Sequence, residues 1–177
     1  DFRVTAISPG APGSPPVGTL LNRGPMTEPL LSRGRPILSP ACSATEGIPH
    51  VVAVGYPVPG RNATPDGAVT ILLQPVTFFP AVLSPLVNRT PYAFFVMQTD
   101  GTLVYDTDTS GIGHNTFSDP RYAVSPSRST LVARVCAEPS GTGRYDVGTI
   151  ATNTTLRKGA AWITVSLHGN EWRVVVI

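Results

Sequence analysis

The feature that most constrains the fold is an apolar run over residues 92–97 that is followed by an Asp100-Gly101 dipeptide. The run is rich in aromatic residues and valine, which is typical of a buried β-strand. Asp-Gly suits a two-residue hairpin turn, because both central residues of that turn need positive φ. The sequence therefore predicts a β-hairpin over 92–105 that leads into a loop rich in Asp and Gly.

Composition places the chain among globular proteins. Its 177 residues suffice for one ordinary domain or for two small units that share a core. The 19 prolines and 17 glycines demand many turns, while a hydrophobic fraction of 41% argues against disorder throughout. The net charge is only +2 and no basic stripe is interleaved with aromatic residues, so we expect no nucleic-acid partner. No apolar run approaches the length that spans a bilayer.

The start of the chain indicates a processed piece, and its sequons are a weak signal of export. The chain begins at Asp1 without a signal sequence, so we expect a piece cut from a longer precursor. Three sequons occupy predicted loops, as glycan acceptors do, and begin at Asn62, Asn88 and Asn153. Cys42 and Cys136 could form a disulfide, but we favour two buried free thiols.

Strands outnumber helices in the rest of the pattern. We expect strands at 2–7, 37–43, 50–58, 67–73, 130–138, 144–150, 160–168 and 171–177. Helices are expected at 25–32 and 75–88, the second with Phe78 and Phe79 in the core and with Pro85 kinking it or ending it early. Gly169-Asn170 suits a type II′ turn between the last two strands. This order predicts an α+β fold built on antiparallel sheet.

A series of short motifs follows one another along the chain. They are GRPILS at 34–39, YPV at 56–58, Asp100-Gly101, Tyr105-Asp106, Asp108, Ile112-Gly113, Asn115, Asp119-Pro120, Tyr122 and HGNEWR at 168–173. From about Phe2 to Ile177 this order resembles the Cache domains, which are extracytoplasmic PAS-like sensor modules, in particular those of exported proteins in methanogenic archaea. The family's usual first helix and first strand are missing here. Residues 1–75 also contain no Trp, so the signature of the amino-acid receptors is not carried over.

The resemblance implies PAS-like antiparallel β-sheet units with few short helices, in the double form. A distal unit would cover 1–75, and a connecting helix with a proximal unit would cover 76–177. The implied function is an extracytoplasmic sensor that binds a small solute and relays a conformational signal to a membrane or signalling segment outside this chain. The ligand would be an amino acid, a carboxylate or an amine, and a homodimer is one expected assembly.

For such a sensor, we expect the ligand contacts on the polar loop and on the strand that follows it. The candidates are Tyr105, Asp119, Arg121, Tyr122 and Arg134. Arginine offers a planar fork to a carboxylate, and tyrosine offers a ring face and a hydroxyl. A different interpretation makes Asp119 a helix cap and Tyr122 a core residue. The alternative function is a non-binding structural or dimerisation module, whose pocket would be filled by its own side chains.

The loop also carries part of a metal-binding pattern. Residues 106–111 spell DTDTSG, the first half of a calcium loop, but Phe117 stands where the bidentate carboxylate belongs. His114 lacks the second histidine of a metal-binding helix, and no nucleophile-elbow or phosphate-loop pattern is present. We therefore expect Asp side chains that cap turns, with no metal, no cofactor and no enzyme activity. A hydrolase that uses the Asp and His residues of the loop is the third interpretation.

Overall fold

The computed structural model describes residues 2–7, 16–21, 27–41, 50–61, 64–87, 91–122, 125–149 and 154–177. The chain divides into two units, Asp1–Pro75 with Leu167–Asn170, and Val76–Ser166 with Glu171–Ile177. Antiparallel sheet dominates the described chain and helices are few, which confirms the prediction of an α+β, PAS-like fold.

The first unit is built around a short sheet. Its elements are β1 (Phe2–Arg3), β2 (Leu20–Leu21), α1 (Thr27–Leu31), β3 (Ile37–Leu38), β4 (Val52–Pro59) and β5 (Pro65–Leu73). β1 pairs with β2, and the other three strands form a sheet in the order β3-β4-β5. Leu30 of α1 is buried against Gly55 of β4, where any Cβ would lie only 2.9 Å from the leucine Cδ2. β4 and β5 form an antiparallel hairpin, and the strands predicted at 50–58 and 67–73 are confirmed.

The second unit is a five-stranded antiparallel sheet with a helix on one face. Its elements are α2 (Pro75–Val87), β6 (Phe94–Gln98), β7 (Leu103–Asp106), α3 (Pro126–Ala137), β8 (Ser140–Thr149), β9 (Thr154–Leu167) and β10 (Asn170–Val176), with two 3₁₀ turns at Thr109–Gly111 and Pro120–Tyr122. The strand order is β7-β6-β10-β9-β8. The core lies between α3 and the sheet, where Leu131, Val132 and Val135 meet Met97 and Trp162.

The segment predicted as a strand at 130–138 is a helix, so that prediction was wrong. Ser125 caps α3 by accepting a hydrogen bond from the Arg128 N–H (3.4 Å), and Pro126 follows at the position where a fixed φ favours a helix. These capping signals and the buried face of the helix override the alternation of TLVARVCAE. The strand after it begins at Ser140, four residues before the predicted start at residue 144.

Two turns differ from their predicted types. The Gln98 N–H donates to Thr102 O (2.9 Å) and only Gly101 has positive φ (89°), so the first hairpin closes over three residues rather than two. Asp100 instead accepts the Thr102 N–H with its carboxylate (2.9 Å). In the last hairpin, the positive φ values belong to His168 (49°) and Gly169 (85°), which is a type I′ pattern one residue earlier than predicted.

Helix α2 corrects the expectation of an early end at Pro85 and the placement of Phe78 in the core. It continues through Pro80 and Pro85 to Val87, because proline removes one N–H and bends a helix without necessarily ending it. Phe78 is 40% exposed and does not belong to the core. Phe79 is buried as expected, and its ring lies 5.2 Å from that of Tyr105 and 5.8 Å from that of Trp172.

Several sequence features lie outside the described residues, namely the three sequon asparagines and Cys42. Cys136 is half-buried, its Sγ lies 3.9 Å from Gln98 O, and burial raises the pKa of its thiol. None of the helices in the described ranges is long and apolar enough to cross a membrane.

Substituting Gly101 with alanine tests the three-residue turn. A Cβ at this position would lie 2.6 Å from the Phe117 ring, and the residue would have to keep its positive φ. We expect the free energy of unfolding to fall by roughly 1–2 kcal/mol, measured by urea unfolding. Gly148→Ala is the matched control, because no heavy atom lies within 4 Å of a Cβ there. Equal losses for the two variants would contradict the turn.

Candidate functional site

A small cavity lies in the second unit between α3 and the sheet. Its volume is about 20 Å³, which is room for about one water molecule. Five lining side chains are apolar: Phe95, Leu103, Leu131, Val132 and Ile177. Four are polar: Asp106, Thr116, Arg128 and Tyr145. Its mixture of apolar walls and a few convergent polar groups is that of a small-molecule site, but its volume is far below the roughly 300–1,000 Å³ of an open ligand pocket.

A β-bulge delivers Asp106 to this cavity. The register Phe95↔Asp106, Val96↔Tyr105 and Met97↔Leu103 leaves Val104 as one extra residue in β7. Because of this extra residue, Leu103 and Asp106 both reach the side of the sheet that α3 covers. Tyr105 lies on the opposite side, against Phe79. The bulge therefore brings Leu103 and Asp106, three residues apart, onto the same face of the sheet.

Arg128 enters the cavity from the first turn of α3. It shares one helix face with Leu131, Val132 and Val135, at the spacing i, i+3, i+4 and i+7. Its guanidinium carbon lies 4.7 Å from the centre of the Tyr122 ring, which fixes the cation by a cation–π contact. Within the described ranges, no carboxylate lies in ion-pair distance of Arg128 and its guanidinium makes no hydrogen bond.

Four side chains act electrostatically as one group, which we call the cavity cluster: Asp106, Tyr122, Arg128 and Tyr145. Burial raises the pKa of Asp106, and the positive charge of Arg128 opposes that rise. Burial also raises the pKa of Tyr145 and of Tyr122, again opposed by Arg128 and augmented by Asp106. The cluster thus sets one cation beside one carboxyl group whose ionisation is disfavoured.

The loop beside the cavity (residues 107–122, the cavity loop) is shaped by Asx turns. Asp106, Asp108 and Asp119 each accept the backbone N–H of the residue two positions later, at 2.9, 3.1 and 2.9 Å. The expectation that these carboxylates cap turns is confirmed. Among the described residues, no group of three or more His, Cys, Asp or Glu side chains is placed to hold a metal ion.

Two predicted ligand residues fasten the cavity loop instead of facing the cavity. The Arg121 Nη2 lies 2.8 Å from Asp119 Oδ2, and the His114 Nδ1 lies 2.8 Å from the same oxygen. Arg121 also donates from Nη1 to Ser110 O (3.0 Å). Along the outer edge of β7, the Leu103 N–H donates to His114 O (3.0 Å), and Leu103 O accepts the Gly113 N–H (2.7 Å). These bonds hold the loop against the sheet.

Of the five predicted ligand residues, Tyr122 alone joins the cavity cluster. Arg134 lies on α3 rather than on a strand, pairs with Glu138 (3.0 Å), and stacks over Trp162 at 5.3 Å. Neither Tyr105 nor Arg134 lines the cavity. The sequence reasoning missed Arg128 and Tyr145, and it assigned Asp106 to the turn alone. The available signal for Arg128 was its spacing with Leu131 and Val135, which becomes visible once the segment is treated as a helix.

Replacing Arg121 with glutamine tests how the loop is fastened. Hydrogen bonds from Arg121 hold the pKa of Asp119 at about 2, below its ordinary 3.8. Because the folded pKa is lowered, this carboxylate stabilises the fold above pH 3.8, and the contribution is lost as pH falls through about 2. In Arg121→Gln, we expect the Asp119 carboxyl carbon to titrate closer to 3.8 by NMR. Arg157→Gln is the control, and an unchanged midpoint in Arg121→Gln would contradict the assignment.

Solved structures with a similar fold are sensor or receptor domains. The chain is similar to an extracellular ligand-binding receptor from Desulfohalobium retbaense, at 24% identity and a TM-score of 0.62, over 86% of this chain and 24% of that one. It is also similar to the periplasmic sensory domain of the Campylobacter jejuni chemoreceptor Tlp1, at 15% identity and 0.53, over 86% and 53%. The chain has the fold of extracytoplasmic sensor domains.

A third structure with this fold is the ligand-binding domain of the Pseudomonas aeruginosa amino acid chemoreceptor PctB in complex with L-Gln. Identity is 16% and the TM-score 0.53, over 87% of this chain and 55% of that one. The chain therefore spans between about a quarter and about half of the length of these three structures. No family model and no curated protein matches the chain.

Proposed function

We propose that this chain is an extracytoplasmic sensor domain that binds a small solute and passes a conformational signal to a segment outside the chain. The observation that carries the proposal is the cavity cluster in a sensor-domain fold. In the described part of the chain, Arg128 and Tyr145 line the cavity, and their side chains make no hydrogen bond to the protein. Neither group is sealed from solvent, because Trp172 Nε1 is the one buried side-chain polar atom without a partner in the described chain. A bound solute would give both groups a partner.

The same proposal assigns the two halves of the chain. Residues 1–75 would be the distal unit of a double-Cache arrangement, and 76–177 the connecting helix and the proximal unit. The cavity cluster belongs to the second of these units, residues 76–177, which ends with β10. We propose membrane attachment through segments outside the chain, as expected for a sensor that must report to the other side of a membrane.

Binding and shape change are coupled in this site by its size. A cavity of about 20 Å³ cannot take a solute of several heavy atoms unless the cavity loop or α3 moves. Ile177 lines the cavity and is bonded in both directions to the backbone of Ala93 (2.9 and 3.0 Å). A solute that enlarges the cavity would therefore displace Ile177 at the end of β10. The ligand shifts the equilibrium by its differential affinity for the enlarged and the closed forms.

Thermal unfolding in the presence of single solutes tests the function. The panel contains amino acids, short carboxylates and small amines, and each hit is followed by titration calorimetry. A solute at a hundredfold excess over its Kd should stabilise the folded state by about 2.7 kcal/mol. If no solute in the panel raises the unfolding temperature and none gives binding heat, the proposed function is wrong.

The small cavity also favours a second candidate, a non-binding structural or dimerisation module. In that case, the core side chains themselves fill the pocket and no solute stabilises the fold. Analytical ultracentrifugation over a concentration series separates the two candidates. A dimer whose dissociation is unaffected by the solute panel would support the second candidate and count against the first.

A further inference from the structure

We propose that the cavity cluster selects a small anion, namely a short monocarboxylate, in preference to an amine or a zwitterion. This inference rests on the proposed function, since it names the solute class for that site. The argument uses the balance of donors and acceptors in the cavity, the charges that face it and the nature of the remaining walls.

Hydrogen-bond donors without partners outnumber acceptors around the cavity. Within the described ranges, the Arg128 guanidinium contacts the Tyr122 ring face but makes no hydrogen bond or ion pair, and the Tyr145 hydroxyl has no hydrogen-bond partner. Thr116 is already engaged, because its hydroxyl donates to Gly101 O (2.9 Å). Asp106 is the one carboxyl group that lines the cavity, and its Oδ1 already accepts the Asp108 N–H (2.9 Å). A ligand rich in acceptors completes this set, and a carboxylate matches the planar fork of arginine.

The charges around Asp106 disfavour a cationic ligand. The titratable groups that act on its carboxyl are Asp108 from the cavity loop and Arg128 from α3. An ammonium group in the cavity would meet the Arg128 cation, whose charge no other carboxylate neutralises at ion-pair distance in the described chain. Asp106 is the one carboxyl group among the lining side chains, and its Oδ1 already accepts the Asp108 N–H (2.9 Å), so it is poorly placed to receive an ammonium group.

The rest of the wall suits a short alkyl group. Leu103, Leu131 and Ile177 are among the apolar side chains that line the cavity, and Leu103 and Leu131 are almost fully buried. A methyl or ethyl group gains free energy by leaving water for such a surface. The ammonium group of a zwitterion would have to bind Asp106, and the carboxylate of the same ligand would then lose its contact with Arg128.

Calorimetry with three probes of similar size tests the inference: acetate, methylammonium and glycine. With the unaltered chain, acetate should bind most tightly. Arg128→Met should weaken acetate by about tenfold or more, because it removes a charged hydrogen-bond donor. Asp106→Asn should tighten acetate severalfold, since the amide oxygen still accepts the Asp108 N–H while the like charge is gone.

Arg134→Met is the matched control, because it removes a guanidinium from the same helix that pairs with Glu138 and does not line the cavity. Because the substitutions at Arg128 and Asp106 should change the affinity for acetate in opposite directions, the test stays valid if one variant is poorly folded. Tighter binding of methylammonium than of acetate would overturn the inference, as would weaker acetate binding in Asp106→Asn. An affinity for acetate that is unchanged in Arg128→Met would also overturn the inference, while the proposed sensor function would stand. A chain that binds no solute at all would overturn both.

Discussion

Replacing Arg173 with methionine is expected to lower the free energy of unfolding by about 3 kcal/mol. Arg173 is only 4% exposed and lies on β10. It donates from Nε to Val135 O (3.0 Å) and from Nη2 to Cys136 O (3.4 Å). The last carbonyls of a helix have no partner within the helix. Arg173 supplies one from the sheet, and Nη1 also pairs with Glu171 (3.0 Å).

Methionine keeps most of the aliphatic contact of Arg173 and removes the donors, so the loss reports on the hydrogen bonds to α3. Urea unfolding followed by circular dichroism gives the free energy. Arg157→Met is the control, because Arg157 is 70% exposed and its pair with Asp146 (3.2 Å) lies at the surface. Such pairs contribute at most about 1 kcal/mol. Similar losses in the two variants would refute a role for Arg173 in holding α3.

Truncating Trp162 to alanine should cost about 4 kcal/mol. Its side chain is 2% exposed at the centre of the second unit's core. Gly141 of β8 leaves the space that the indole ring occupies, and a Cβ there would collide with it. The indole Nε1 donates to Glu138 O (3.1 Å), which joins the end of α3 to β9. Alanine would leave a large cavity and an unpaired carbonyl at the end of the helix.

The neighbouring residue provides the control for Trp162. Ile163 follows it on β9, faces the other side of the sheet and is 59% exposed. Ile163→Ala should change the free energy of unfolding by no more than about 0.5 kcal/mol. Chemical unfolding of both variants, with near-ultraviolet circular dichroism to report on core packing, makes the comparison. A loss at Ile163 as large as that at Trp162 would contradict the assignment of the two faces.

Local patterns predicted much of the sheet. The hairpin of β4 and β5 and the hairpin of β6 and β7 follow from apolar runs that are bounded by turn residues. Turn types were less accessible, because they depend on how each backbone is closed. Asp100 binds the Thr102 N–H with its side chain and keeps φ negative. His168 adopts positive φ although glycine is the usual residue there.

The helix α3 shows how one pattern can fit two structures. Its sequence alternates as a strand would, while Leu131, Val132 and Val135 also fall on one helical face. Ser125 and Pro126 decide for the helix, and they lie before the window in which the alternation appears. Because Arg128 stands between the cap and that face, the misassigned segment also concealed the cation of the candidate site.

The register of β7 could not be predicted from the sequence. Val104 is its extra residue only because the residues on either side of it, Tyr105 and Leu103, pair with Val96 and Met97 on the neighbouring strand. Strict alternation would place Asp106 on the face opposite Leu103, whereas the structure places both at the cavity. The candidate site therefore depends on a register that no local window contains.

The cavity loop has a further consequence for how this molecule meets other copies of itself. β7 is an edge strand, and an open edge is a template on which foreign strands assemble into aggregates. Here the Leu103 N–H donates to His114 O, the Leu103 carbonyl accepts the Gly113 N–H, and Thr102 forms a β-bridge with Asn115. The cavity loop therefore also covers this edge of the sheet. In the proposed sensor, a movement that loosened the cavity loop would expose this edge to pairing with other chains, so we expect the hydrogen bonds that fasten the loop to oppose aggregation as well.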